Sequence, residues 1–161
     1  MKFIKALRLA MLLPIGLSLW ACSKPALYGT VQEAEPVVKY FAVPPEESFR
    51  ATKEALTNRG YSLREVDDKN FTLETYWQPT TADSHYVLVF GRRDYGTVAA
   101  YYRLAVKVTP QGNGSKVAIT NVAKSFITDL KSSHREEDEV FIKVSDFTRK
   151  RDIQVTNIGL Q

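Results

Sequence analysis

The residues in this chain that could do chemistry are few, and their spacing argues against most of it. Cys22 is the one cysteine, so no intramolecular disulfide can form. His85 and His134 are the two histidines, and neither stands at a spacing that makes a metal or catalytic site. His134, among Lys131, Arg135, Glu136 and Glu137, reads as an exposed helix start, and His85 reads as a rim residue at the beginning of a strand. The sequence contains no H-E-x-x-H, no paired cysteine set, no EF-hand loop and no G-x-S-x-G elbow. Gly112-Asn113-Gly114-Ser115-Lys116 lacks the spaced first glycine of a phosphate loop and lies between two strand patterns, so it reads as a hairpin turn. Asp67-Asp68 falls in a turn and Glu136 to Glu139 reads as a solvated helix opening, and sequence alone sets no two of these carboxylates at a working separation. The expectation is a noncatalytic protein with no cofactor and no bound metal.

The thiol of Cys22 has a different use. Lys2, Lys5 and Arg8 give a positive start, Leu9 to Leu19 is an uncharged apolar stretch, and Leu19-Trp20-Ala21-Cys22 closes it. As a helix at about 1.5 Å per residue, the run from Leu9 to Ala21 would cover roughly 20 Å of a hydrocarbon core about 30 Å thick, too little to span it. Leu19, Ala21 and Cys22 resemble the lipobox of bacterial lipoproteins, with Trp20 bulkier than the usual occupant of its place. That resemblance implies that residues 1–21 are a signal peptide, that the Cys22 thiol is alkylated by diacylglycerol, and that membrane lipid is the first partner. Ser23, where inner-membrane retention uses aspartate, implies sorting to the outer membrane if the envelope has two membranes, with the domain facing the periplasm.

Loss of the signal removes three of the 22 basic residues, leaving 19 against 18 acidic ones, so the apparent pI of 9.1 gives no support to nucleic-acid binding. Residues 22–36 carry two prolines, one glycine and no apolar periodicity, and are expected to be a flexible tether reaching about 20 Å. Residues 37–161 are expected to form one domain with a real core.

Within that domain, Val37 to Val43 reads as a strand stopped by Pro44-Pro45, and a helix follows to Arg59-Gly60. Tyr61 to Val66, Phe71 to Trp77, His85 to Phe90, Tyr102 to Val108 and Val117 to Val122 read as five more strands. A second helix is expected from Ser133 and Glu136, spaced as a capping box, to the basic run Arg149-Lys150-Arg151, with Ile153 and Val155 starting a final strand. The order predicts an α+β domain, one mainly antiparallel sheet with two helices packed on one face. The helix ending in Gly60-Tyr61, the acidic turn and the strand ending at Trp77 resemble the helix-grip domains of BamC-type outer-membrane lipoproteins. That resemblance implies an accessory role beside an envelope assembly machine.

Two features could carry binding. Trp77, Tyr76, Tyr86, Tyr95, Tyr101 and Tyr102 crowd the middle third of the chain, and Gly91 to Gly96 is a basic connection holding an aromatic. Aromatics with arginine are enriched at protein interfaces, which makes Arg92, Arg93 and Tyr95 the candidate partner surface. The basic run at residues 149–151 is accounted for by a helix terminus. The preferred function is a membrane-anchored accessory or assembly subunit that binds an envelope protein; the alternative is a module for a glycan or small apolar ligand held in a sheet concavity.

Overall fold

The computed structural model describes residues 27–95 and 100–156, with side chains as far as Arg149. The expected signal peptide and Cys22 lie outside the described residues. The elements in chain order are β1 (Thr30–Glu33), β2 (Val37–Phe41), α1 (Pro45–Asn58), β3 (Leu63–Asp67), β4 (Thr72–Thr75), β5 (Gln78–Pro79), β6 (His85–Val89), β7 (Arg92–Asp94), β8 (Tyr101–Gln111), β9 (Gly114–Ser125), β10 (Lys131–Ser132) and α2 (Arg135–Thr156).

Two long strands organise the fold. β8 and β9 pair antiparallel along their whole length, from Tyr101 opposite Lys124 to Gln111 opposite Gly114. Their sequences alternate, so Tyr102, Leu104, Val106 and Val108 share a buried face with Val117 and Ile119. Short strands then line up end to end along each outer edge of this pair. β1 and β2 both pair with β9, and β4 and β5 both pair with β8, with β3 outside β4. The breaks fall at Pro36, which has no N–H to give a ladder, and between Thr75 and Gln78.

Both helices cover the alternating face of the sheet. α1 starts with Pro45, Glu46 and Glu47, where a missing N–H costs nothing and carboxylates meet the positive end of the helix dipole. It ends with Tyr61 N–H donating to the Leu56 carbonyl and Gly60 N–H to that of Thr57, Gly60 having φ +85°, a Schellman closure. Phe49, Ala51, Ala55 and Leu56 of α1 and Val140, Phe141 and Val144 of α2 join Leu73 and the β8–β9 residues in one core. The predicted α+β class holds: a mainly antiparallel sheet with two helices on one face.

Four details differ from the expectation. The tether predicted over 22–36 ends early, because Thr30 to Glu33 pair with Ser125 to Val122 and the Ala34 N–H donates to the Asn121 carbonyl. Four residues without periodicity became a strand because a long neighbour offered an open edge. β6 is not in the main sheet but sits between β10 and β7 in a separate three-stranded sheet. Residues 153 and 155 continue α2 instead of starting a strand, so the basic run at 149–151 lies inside the helix and not in its last turn. Ser133 and Glu136 do not form a capping box: the Ser133 hydroxyl donates to the Asp83 and Ser84 carbonyls, and Glu136 points to Tyr61. Among the described residues no helix is long and apolar enough to cross a membrane.

Candidate functional site

Where the N-terminal turn of α2 meets the sheet, the interior is polar. The acidic opening of α2, expected to be solvated, instead turns Glu136 and Glu137 inward: Glu137 is fully buried and accepts hydrogen bonds from the Ser132 hydroxyl at 3.0 Å and the Asn121 amide at 3.4 Å, with His134 Nδ1 at 3.2 Å. Glu136, one residue earlier, accepts from the Tyr61 hydroxyl at 2.8 Å, the Thr81 hydroxyl at 3.3 Å and the Arg59 guanidinium at 3.3 Å. Arg59 also pairs with Glu139, which Arg135 holds from the other side. The Tyr61 and Tyr102 hydroxyls meet at 2.9 Å.

His85 belongs to this interior and not to a rim. It is 2 % exposed, packs its ring 5.3 Å from that of Tyr102, and places Nδ1 2.9 Å from the Ser84 hydroxyl and Nε2 3.0 Å from Asn121 Oδ1. The expectation failed because β6 turns its first residue inward against β8, a neighbour that strand order along the chain does not reveal. His134, as expected, stands half-exposed at the start of α2, with φ +64°.

Burial sets the proton affinities here. Loss of water pushes both phenols up, Tyr102 to about 12, and Tyr61 further because its hydroxyl also faces Tyr102 and Glu136. Burial lowers the basicity of His85 against the opposing pull of Asn121, Glu137 and Glu136. Two carboxylates, two phenols and an imidazole would be an acid–base set if they faced a reactant. Each is engaged with another side chain, so the five groups form one hydrogen-bonded network. One sign of it was legible: Asn121 stands at an inward position of the Val117, Ile119, Asn121 alternation, and a buried amide needs partners.

The candidate partner surface lies elsewhere, on the β6–β7 hairpin. Val89 is opposite Arg92, so Phe90-Gly91 is a two-residue turn, with φ +49° and +78° at the two positions. Both positive values match a type I′ turn, which favours Asn-Gly over a bulky first residue. Phe90 is 101 % exposed, and Leu88 and Val89 beside it are 50 % and 43 % exposed. The expected basic connection is therefore mostly strand: Arg92 and Arg93 are exposed on β7, and Tyr95, just after it, is half-buried. Arg93 lies 4.7 Å over the ring of Tyr86, which in turn meets the ring of Tyr95 at 5.5 Å. A hydrogen bond with Tyr95 and the nearness of Tyr86 hold the Arg93 guanidinium above its ordinary basicity.

The other aromatics of the middle third divide between surface and core. Tyr102 is core, Tyr76 is exposed, and Trp77 carries Arg103 at 5.1 Å over its ring. The outer face of the sheet holds a hollow of about 820 Å³ whose floor includes Thr72, Ala105, Ala118 and Thr120 and whose walls include Glu65, Glu74 and Lys107. None of the residues lining it is aromatic. No group of three or more metal-ligating side chains occurs among the described residues.

No protein family and no curated protein matches the sequence. Among solved structures, Ara h 8.0201 is similar at TM-score 0.48 and 9 % identity, over 74 % of this chain and 99 % of that one. TTHA0849 from Thermus thermophilus is similar at TM-score 0.39 and 12 % identity, over 74 % and 99 % of the two chains.

Proposed function

We propose that the chain is a membrane-anchored, noncatalytic envelope lipoprotein, held by an acylated Cys22 at the periplasmic face of the outer membrane, whose domain binds a protein partner as an accessory or assembly subunit. The observation that carries the binding role is the β6–β7 hairpin. Its turn keeps a phenylalanine in a left-handed conformation that disfavours a large side chain, and leaves that side chain wholly in water. Neither property helps the fold. Exposed apolar residues with arginine beside them are the kind of surface on which interface hot spots form.

Changing Arg92, Arg93 and Tyr95 together to alanine is expected to weaken association by about 2 kcal/mol or more, read by crosslinking in native membranes and identification of the attached protein. Thermal unfolding measured in parallel separates a lost contact from a lost fold. Unchanged crosslinking would remove the hairpin from the interface. For the anchor, Cys22→Ser is expected to abolish labelling by a palmitate analogue, and equal label in both proteins would refute it.

A further inference from the structure

A second exposed apolar patch lies where the chain enters the domain. Tyr28 and Phe126 stack with ring centroids 6.2 Å apart and planes 19° from parallel, yet they are 68 % and 75 % exposed. Ile127 and Val31 beside them are 42 % and 54 % exposed. The segment bearing Phe126 is fixed. The Gln32 side chain donates to the Ile127 carbonyl at 2.8 Å and accepts from the Leu130 N–H at 3.0 Å, and the Ile127 N–H donates to the Ser125 hydroxyl at 3.0 Å. Gly29 presses this segment against the start of β1 so closely that a β-carbon there would fall 2.3 Å from the Ser125 carbonyl oxygen. The point where the chain joins the sheet and the aromatic pair are thus one place.

Five residues lie between Cys22 and Tyr28, and the six steps from one to the other, at no more than about 3.6 Å each, can reach roughly 22 Å along any path. We propose that Tyr28, Phe126 and Ile127 rest in the headgroup region of the bilayer to which Cys22 is attached, so that the domain is seated on the membrane by this end. This rests on the lipid-anchored reading. A stacked tyrosine and phenylalanine, one polar at its tip, suit the boundary between lipid and water. The seat orients the domain with the β8–β9 turn directed away from the membrane, because β9 runs from Gly114 to Ser125, about 36 Å at strand rise.

The test uses the complete processed lipoprotein carrying Phe126→Cys, labelled with an environment-sensitive thiol dye. Alkylation of Cys22 leaves the introduced thiol as the one reactive group. The protein is placed in vesicles of phosphatidylethanolamine and phosphatidylglycerol containing a lipid with a shallow nitroxide quencher, and Asn113→Cys serves as the distal control. Quenching at 126 should exceed that at 113 by at least about twofold, and Ile127→Cys should repeat the result where the phenylalanine change perturbs the loop. Equal quenching at 113 and at both loop positions, with one dye per chain and the protein floating with vesicles, would overturn the seat while leaving the anchor intact. It would reassign the patch to a protein contact. Two dyes per chain and no flotation would instead overturn the anchor and the seat together.

Discussion

The polar interior and the β6–β7 hairpin invert the usual relation between chemical promise and function. The interior gathers His85, Tyr61, Tyr102, Glu136 and Glu137, any two of which would draw attention in a sequence, and joins them in hydrogen bonds to one another or to neighbouring side chains. The exposed end of the hairpin, Leu88 to Arg93, holds no carboxylate, imidazole or thiol, yet among the described residues it alone combines a left-handed bulky residue with full exposure of that residue. Groups engaged with one another contribute to stability, whereas strain and exposed apolar surface are what the proposed partner contact rests on.

The contrast breaks most visibly at Glu137. Glu137→Ala should destabilise the domain by about 3 kcal/mol, because Ser132, Asn121 and His134 lose their shared acceptor at a buried position. A denaturant midpoint checks this, and a near-native midpoint would mean the network is not what holds α2 to the sheet. Tyr61→Phe removes one hydroxyl shared by Tyr102 and Glu136 and should cost about 1–2 kcal/mol by the same measurement.

The third prediction concerns pH. Because burial holds the His85 imidazole below its ordinary 6.5, the unfolded chain takes up a proton there that the folded one refuses. Stability is therefore full above about 6.5 and declines as pH falls, until the folded imidazole itself protonates, with a slope of at most about 1.4 kcal/mol per pH unit. The groups facing it are Ser84, Asn121, Tyr102, Glu136 and Glu137. Glu139, whose carboxyl is lowered from 4.5 by Arg135 and Arg59, loses its contribution only below that value, so between 6.5 and 4.5 the decline from His85 is not mixed with that of Glu139. His85→Asn should flatten the curve there, and an unchanged slope would assign it to another group.

The smallest effect has the opposite sign. Phe90→Asn places a residue that tolerates positive φ in the first turn position and should raise stability by about 0.5–1 kcal/mol while weakening partner capture. Retained capture with a raised melting temperature would sharpen the comparison by moving the hot spot from Phe90 to Arg92 and Arg93.

Much of this was legible in the chain because the signals are local. The alternation of Tyr102 to Val108, the Pro45-Glu46-Glu47 start and the Arg59-Gly60 stop of α1 each act over a few residues, and each appears in the structure where the pattern placed it. What failed depends on neighbours distant in sequence. Thr30 to Glu33 become a strand through β9, about 90 residues later, and His85 turns inward because β6 leaves the main sheet. Arg92, Arg93 and Tyr95 were visible by composition, but the exposed turn before them was not. Phe90 read as the end of an ordinary apolar strand, and only its backbone angle shows the conflict.

The end-to-end short strands leave the main sheet with two outer margins, and both are poor templates for a foreign strand. On one side β3 presents Arg64, Glu65 and Asp67, with its pairing slipping between Leu63 and Glu65. On the other, Pro36 interrupts the line between β1 and β2, so that neither offers more than five residues in register. Charges, a bulge and a proline are the devices that keep open β margins from zipping into one another. Where lipoproteins stand close together, margins of this kind disfavour edge-to-edge pairing of one main sheet with the next.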